Sequence, residues 1–438
     1  MMMLEKIIVT ASEAKRIPSE KMGTMLMIES ENISSEKRLF KFRFLKYLLL
    51  LVVIYTSGNP AFSSMLGGFA TSVTYVFGFA FLCFCVTRPS HIHNATFLLL
   101  GIFIVQEIWH LFMGVPVISC IGVVVRLGLA FMTCVILNKD FFRIYIQLMV
   151  WLTALSLLMW IPYSFSLFSM ELVYNYFGGG TPYTILHTFH SVNERNSGIF
   201  WEPGAFSGYL NLAIAFLLIL IIQERKIKKY SFRLLLLILG VITTFSTTGY
   251  CTLLCLGSGI LYILFLRKHF VLSILPMTIL IGVGYYVFQQ DFMYAKILHE
   301  FEVAAAQSYN WEITRYGSLL HDISLWMKHP IIGSGSNYES IETGLSELKQ
   351  GMGNGFSDFL LKSGGIGMII FLYSLCRLFI EQSGNQIGGL LLALAIIIQL
   401  QGEVYLSMPL YCCLIFLPWF IPKVGEVSKL TQSNMKSS

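Results

Sequence analysis

Charged side chains are scarce in this sequence. Asp, Glu, Lys and Arg make up 12% of its 438 residues, whereas a soluble domain carries about 25%. Apolar residues make up 55%, and the mean hydropathy is +0.70. A chain with so little charge cannot keep that much apolar surface away from water. The composition therefore excludes a soluble globular protein and predicts an all-α, polytopic membrane protein.

The sequence also lacks the usual motifs for binding nucleotides and metals. It contains no GxGxxG, no Walker loop, no HExxH and no DxD-type acidic pair. Its nine cysteines lie in or beside apolar segments and have no CxxC spacing. We therefore expect no metal, no cofactor and no sugar nucleotide as donor.

Apolar runs of about 20 residues, the length that crosses a bilayer, recur along the chain. We predict twelve spans, at about 43–57, 63–86, 95–113, 116–137, 142–163, 203–222, 232–247, 249–266, 270–288, 356–380, 385–401 and 404–422. They form one transmembrane domain over 43–422, between a disordered tail at 1–42 and a second tail at 423–438. Two connections are long, 164–202 and 289–355, and long loops in a compact protein usually carry function.

Lys and Arg residues set the orientation, because cationic loops stay in the cytoplasm. If both termini are cytoplasmic, the two long loops are external. Only five of the 30 Lys and Arg residues then fall in external segments, namely Arg195, Lys296, Arg315, Lys328 and Lys349. The net charge of +6 is therefore a topology signal, and we expect no nucleic-acid partner.

The first long loop ends with an arginine and a carboxylate before the sixth span. Glu202 precedes Pro203 and Gly204, and proline suits the first turn of a helix. Glu202 is either a helix cap at the positive end of the dipole or a general base that deprotonates a sugar hydroxyl. Arg195 is either a headgroup anchor or a fork for phosphate oxygens.

The second long loop contains TRYGSLLHDISLWMKHP, residues 314–330, which predicts an amphipathic helix in the membrane interface. Its apolar stripe is Tyr316, Leu319, Leu320, Ile323, Trp326 and Met327. Arg315 would lie at headgroup depth, as an anchor or as a second phosphate ligand. The turn Gly333-Ser334-Gly335 offers backbone amides that can meet an anion.

Further polar groups fall at the same predicted face. Asn354 and Asp358 head the tenth span and either orient sugar hydroxyls or cap the helix. Thr248 either lines a cleft or belongs to a plain turn between the seventh and eighth spans. Glu403, in the last external turn, is expected to be solvated. Three glycines of the tenth span indicate close helix packing: Gly364, Gly365 and Gly367.

Two charges are predicted inside the membrane. Arg126 lies near the middle of the fourth span, and Glu107 lies toward the outer half of the third. An arginine side chain is long enough to bridge the difference in depth. The two residues either form a structural ion pair, or Arg126 reaches outward to a phosphate.

Three blocks resemble the signatures of bacterial O-antigen polymerases and ligases. The blocks are RNSGIFWEPGAFSGYLNLAIAF, TTFSTTGY, and KHPIIGSG followed by GNGFSDFLLKSGGIG. The resemblance covers about residues 195–370, with a matching span pattern over most of the remainder. It implies a GT-C-like membrane glycosyltransferase of the bacterial inner membrane. The substrates implied are sugars linked to undecaprenyl pyrophosphate, used at the external face.

The resemblance also implies roles for individual residues in an inverting, metal-independent transfer. Arg195 and Arg315 match arginines that engage the pyrophosphate, and their charge replaces that of a metal ion. Glu202 is the first choice for the base, and His329 or His321 is the second. From their positions in the sequence, the candidate substrate-binding residues are Arg126, Trp201, Thr248, His321, Asn354 and Asp358.

Three activities remain open at this point. A polymerase moves the growing glycan onto the next lipid-linked repeat unit, whereas a ligase moves it onto lipid A–core. Ligases usually carry a histidine before the asparagine of the tenth span, where this chain has Gly353, and this favours the polymerase. A flippase for the same lipid needs a polar path across the whole membrane. Beyond the lipid-linked oligosaccharide, the expected partners are a chain-length regulator and a flippase.

Overall fold

The computed structural model describes residues 42–89, 92–165, 167, 183–189, 195–266, 315–336 and 354–423, with isolated positions between 278 and 298. The predicted tails, most of the ninth span and most of the loop at 289–355 lie outside the described residues, as does part of the loop at 164–202. The chain divides into two units, Met1–Leu48 and Leu49–Ser438. The described part of the first unit is the opening of one helix, and the following paragraphs concern the second.

Helices make up nearly all of the described chain, as predicted. They are α1 (42–58), α2 (Pro60–Met65), α3 (Phe69–Thr87), α4 (Asn94–Phe112), α5 (Val117–Leu137), α6 (Phe141–Ser164), α7 (Pro203–Glu224), α8 (Ile227–Thr243), α9 (Thr247–Leu261), α10 (Arg315–Trp326), α11 (Gly355–Ser383), α12 (Gln386–Leu400) and α13 (Pro409–Phe416). Short 3₁₀ turns lie at Asn138–Asp140, Tyr405–Ser407 and Leu417–Trp419, and a π-helical turn follows α9 at Tyr262–Leu266. Within these ranges, β pairing is limited to two isolated bridges, Tyr183–Thr188 and Phe189–Asn196.

Six helical segments of the described chain are long and apolar enough to cross a membrane. They are Phe69–Thr87, Asn94–Phe112, Val117–Ser164, Pro203–Glu224, Thr247–Leu264 and Gly355–Ser383. Val117–Ser164 combines α5 and α6, and Gln386–Leu400 and Pro409–Trp419 are shorter apolar helices. The helical architecture of the described chain is therefore confirmed, with segments long and apolar enough to cross a membrane, whereas the twelve spans and a GT-C-like arrangement remain predictions.

The second predicted span is wrong as a single helix. Gly67 and Gly68 adopt positive φ angles of 83° and 111°, a region that L side chains rarely enter. The chain therefore breaks between α2 and α3, where the apolar run of 63–86 had suggested continuity.

The central helix of the fold is α7. The apolar 18-residue stretch of α7 is 94% buried, more than that of any other candidate span in the described chain. Near its start, Asn211 donates to the Gly249 carbonyl on α9 and to Gln399 Oε1 on α12, both at 3.0 Å. These bonds place the start of α7 beside the start of α9 and the end of α12.

The two ends of the helical core differ in chemistry. At one end Arg143 and Lys229 both pair with Glu224, at 3.2 and 2.8 Å, and Lys423 pairs with Glu381 at 2.9 Å. We call this the cationic end. The opposite end carries the starts of α7, α9 and α11 and the turn after α12. It is therefore separated from the cationic end by the length of α7.

Helix α11 is interrupted at Gly364, which has φ 62° and ψ −171°. The segment Pro330–Gly335 fills the gap, with Ser334 N and Gly335 N donating to the carbonyls of Leu361 and Lys362 at 2.9 and 3.1 Å. Those amides are therefore engaged by α11, and the anion-binding turn predicted there is wrong. The close packing expected from the glycines is found here, since a Cβ on Gly364 would overlap the backbone of Ile332 and Gly333, whereas the break in the helix was not expected.

Candidate active site

Arg195 is held at the head of α7 by the turn that follows α8. Its Nε donates to the carbonyl of Thr244 at 2.9 Å. The next residue, Asn196, is fully buried, donates to Thr243 Oγ1 at 2.9 Å and accepts from Ser156 Oγ at 2.6 Å. These hydrogen bonds hold Asn196 from two sides and so fix the backbone next to Arg195. Together with the bond to Thr244, they position the Arg195 guanidinium.

Arg315 reaches the same place from α10. Its Nη1 donates to Thr248 Oγ1 at 3.0 Å, and its Nη2 lies 3.4 Å from Glu403 Oε1. The Arg315 side chain is 28% exposed, so a ligand can approach it from solvent. Thr248, in the first turn of α9, therefore contacts an arginine that is a candidate for binding phosphate.

Glu202 and Glu403 form a carboxyl pair at the start of α7. Glu202 occupies the cap position of α7, but its side chain makes no capping bond to that helix. It instead lies beside the Glu403 carboxyl group, since both Oε1 atoms face Gly204, and the Trp201 side chain acts to lower the pKa of Glu403. The Glu202 carboxylate therefore does not serve as a hydrogen-bonding cap of α7. Two carboxyl groups that share one site favour a state in which one of them carries a proton.

The expectation of a solvated Glu403 is wrong. Its side chain is only 13% exposed, because glycines allow close packing around it. A Cβ built on Gly204 would lie 2.8 Å from Oε1 of Glu403. One built on Gly355 would overlap the Glu403 carbonyl. The start of α7 thus packs against the Glu403 carboxyl group, and the start of α11 packs against the Glu403 backbone.

Burial and mutual charge set the electrostatics of these groups. Burial lowers the pKa of Arg195, the negative charge of Glu202 opposes that shift, and Arg315 adds to it. Burial also raises the pKa of Glu403 well above the usual glutamate range, with Glu202 acting in the same direction and Arg315 against it. Because all four residues act on one another, we treat Arg195, Arg315, Glu202 and Glu403 as one unit, the Arg–Glu cluster.

The Arg–Glu cluster combines the two elements that transfer from a diphosphate requires. Guanidinium groups bind phosphate oxygens through charge-assisted, bidentate hydrogen bonds. A carboxylate beside them can accept a proton from an attacking hydroxyl. Within the described ranges, no group of three or more His, Cys, Asp or Glu could hold a metal ion.

Asn354 borders the Arg–Glu cluster. Its Oδ1 caps α11 by accepting from the amides of Phe356 and Ser357, at 3.1 and 3.2 Å. Its Nδ2 donates to Gln401 Oε1 at 2.6 Å. Capping is therefore confirmed for Asn354, and the same side chain ties the head of α11 to the turn that carries Glu403.

Three further predicted site residues belong to α11, to α10 or to the segment after α10. Asp358 is buried on α11 and pairs with Lys362 at 2.6 Å. His321 follows Arg315 along α10 by about 9 Å of helical rise. His329 lies beyond the other end of α10, about 16 Å or more from Arg315 by the same measure. The geometry therefore favours Glu202 over either histidine as the base.

Arg126 and Glu107 do not form the predicted ion pair. Arg126 donates to the carbonyls of Ser407 and Gly122, at 3.1 and 3.2 Å. Glu107 pairs with His110 at 3.2 Å, because residues three apart share a helix face. Arg126 also lines a cavity of about 300 Å³ between α3 and α5. Its link to the Arg–Glu cluster is indirect, through the 3₁₀ turn that follows Glu403.

The most informative residue that the sequence reasoning missed is Glu403. Its signal was available, since it is a carboxylate in a short turn between two apolar segments, and charge at membrane depth is costly. Its partners Trp201, Gly204 and Arg315 are distant in sequence, so its burial was not visible in the local pattern.

No protein-family profile matches this sequence, and no curated protein matches it either. Function is therefore inferred from the chemistry of the Arg–Glu cluster and from the resemblance of the sequence blocks.

Proposed function

We propose that this protein is a polysaccharide polymerase. It joins oligosaccharide repeat units linked to undecaprenyl pyrophosphate, as an inverting and metal-independent glycosyltransferase. One observation supports this above all: Arg195 and Arg315, from two different predicted external loops, meet at the carboxyl pair of Glu202 and Glu403. Two cations beside a proton acceptor suit a donor whose leaving group is a diphosphate.

The distribution of charge supports an external site in the bacterial inner membrane. Arg143, Lys229 and Lys423 cluster at the cationic end, and cationic segments favour the cytoplasm. The Arg–Glu cluster lies at the other end of α7, which would then face outward. Sugar nucleotides are cytoplasmic, so a donor anchored in the membrane suits that side better.

The reaction can be written on the residues of the Arg–Glu cluster. The acceptor hydroxyl oxygen attacks the anomeric carbon of the donor and forms the new glycosidic bond. Its proton passes to the Glu202 carboxylate. The bond between the anomeric carbon and the phosphate oxygen breaks, and its electron pair stays on the diphosphate. Arg195 and Arg315 stabilise the charge that develops on that leaving group.

Two observations favour a polymerase over its alternatives. A flippase requires polar groups along the whole membrane path, whereas the Arg–Glu cluster gathers charge at one end of the helical core. A ligase would be expected to carry a histidine before Asn354, where this chain has Gly353.

Deletion of the gene separates these activities. A polymerase deletion should leave single repeat units on lipid A–core, whereas a ligase or flippase deletion should leave none. Membranes that contain the protein should also elongate added lipid-linked repeat units, and Arg195→Ala or Arg315→Ala should stop this. Arg377→Ala is the matched control, because Arg377 pairs with Glu381 toward the cationic end. Full elongation by both site variants would rule out the proposed site.

A further inference from the structure

The net charge of the Arg–Glu cluster depends on one proton. With both carboxyl groups ionised, Glu202 and Glu403 would balance the charges of Arg195 and Arg315. Both carboxyl groups lie against Gly204, where a Cβ would be 2.8 Å from Oε1 of Glu403 and 3.3 Å from Oε1 of Glu202, and two carboxyl groups that share one site favour a state in which one of them is protonated. With that proton in place, the cluster keeps an excess of one positive charge.

Glu403 is built to hold this proton. Its side chain is packed against Gly204 and is 13% exposed, and an ionised carboxylate is disfavoured where water is excluded. Arg315 acts in the opposite sense, but at 3.4 Å it is at the long end of ion-pair distance and also donates to Thr248. The Glu202 carboxyl group lies against the same glycine and can accept a hydrogen bond from the proton.

We propose that Glu403 is a positioning residue that holds one proton against Glu202 and thereby leaves the two guanidinium groups with spare positive charge for a diphosphate. This inference rests on the proposed function, which supplies the diphosphate as the ligand. Loss of the proton would put a second negative charge beside that ligand. During transfer, Glu202 takes the proton of the acceptor hydroxyl, so the pair passes from one proton to two as the diphosphate departs.

The groups that face Glu403 within the described chain come from several elements. Glu202 and Trp201 precede α7, Arg315 belongs to α10, and Tyr405 follows on the 3₁₀ turn. Arg195 lies within electrostatic reach. Helices α9 and α11 contribute neutral contacts there, through Thr248 and the backbone of Gly355. The titration that matters for the inference is therefore that of the carboxyl pair.

Binding of inorganic pyrophosphate across pH 5–9 tests the inference on the purified full-length protein in metal-free buffer. The wild-type protein is compared with Glu403→Gln, which has one carboxylate fewer and no shared proton. Above the pH at which the pair loses its proton, wild-type affinity should fall relative to the variant by up to about tenfold per pH unit. The ratio of the two dissociation constants cancels the titration of pyrophosphate itself.

Two more variants complete the test. Glu202→Gln leaves Glu403 without its carboxyl neighbour, so pyrophosphate affinity should begin to fall at a lower pH than in the wild type, and this shift can be measured even if Glu403→Gln fails to fold. Glu381→Gln, at the cationic end, should keep the wild-type pH dependence. A ratio that stays constant from pH 5 to 9 would overturn the inference and leave the diphosphate site intact. No binding of pyrophosphate by any form would overturn the inference together with the proposed function.

Discussion

Gly204 lies directly against the carboxyl group of Glu403, and a Cβ built on Gly204 would be 2.8 Å from Oε1 of Glu403. The same Cβ would lie 3.3 Å from Oε1 of Glu202. Gly204 is in the first turn of α7 and has no positive φ angle, so the backbone would tolerate any residue there. The absence of a side chain at 204 is therefore required by the two carboxyl groups.

Gly204→Ala should impair elongation while leaving the fold intact. Alanine favours a helix over glycine by about 0.8–1.0 kcal/mol, and this gain opposes the crowding at Glu403. The free energy of unfolding should therefore change little. The added methyl group would separate Glu403 from Glu202, and we expect activity to fall about tenfold or more, since small displacements at a reacting centre are costly. Gly101→Ala on α4, where a Cβ meets nothing within 4 Å, should keep wild-type activity. Equal activity of the two variants would contradict this account of Gly204.

Lysine should replace the two arginines poorly. Arg195→Lys and Arg315→Lys keep the positive charge but lose the planar fork that holds two phosphate oxygens. We expect each variant to lose about 100-fold in elongation rate, comparable to the loss of one donor to a developing oxyanion. Arg143→Lys, at the cationic end, should be unaffected. Near-normal rates in both site variants would show that charge alone is sufficient.

The helices were largely predictable because lipid-facing and buried helices are apolar over most of their length. The sixth predicted span, 203–222, matches α7 at Pro203–Glu224 closely. The break between α2 and α3 and the interruption of α11 were missed, since glycine at 67, 68 and 364 is equally compatible with close packing. Only the backbone angles distinguish a glycine that permits contact from one that ends a helix.

The candidate site was predictable only in part. Arg195, Arg315 and Glu202 stood out because isolated charges at a membrane surface usually have partners, and the structure brings them together. Glu403 could not be assigned, since its partners come from α7, α10 and α11. The Arg126–Glu107 pair was expected from depth alone, but depth does not specify the direction in which a side chain points, and His110 was the nearer partner.

The interruption of α11 should depend on Gly364 in particular. Gly364 has φ 62°, and a Cβ there would overlap the backbone of Gly333 and Ile332. Gly364→Ala therefore combines backbone strain with overpacking, and we expect a loss of about 2–6 kcal/mol in the free energy of unfolding. Gly384 has φ 63° with open space around it, so Gly384→Ala should cost only the strain, about 1–3 kcal/mol. Thermal unfolding in detergent separates the two, and equal losses would show that packing at Gly364 is unimportant.

His187 should make the protein sensitive to acid. It is 1% exposed, and neither ring nitrogen has a hydrogen-bond partner among the described residues. Burial lowers the pKa of His187 from 6.5 to about 3. Between those values the unfolded chain binds a proton that the folded chain does not, so stability falls as the pH falls from about 6.5 toward 3.

The loss is about 1.4 kcal/mol per pH unit, or about 2 kcal/mol at pH 5 relative to neutral pH. His187→Leu cannot take up this proton in the unfolded state, and it remains compatible with the contact to Phe189, whose ring centroid lies 4.7 Å away. Its unfolding free energy should therefore vary less between pH 7.5 and pH 5 than that of the wild type, by about the same 2 kcal/mol. His93→Leu, at an exposed position, should retain the wild-type acid sensitivity. If His187→Leu retains it as well, a different group must account for the loss of stability in acid.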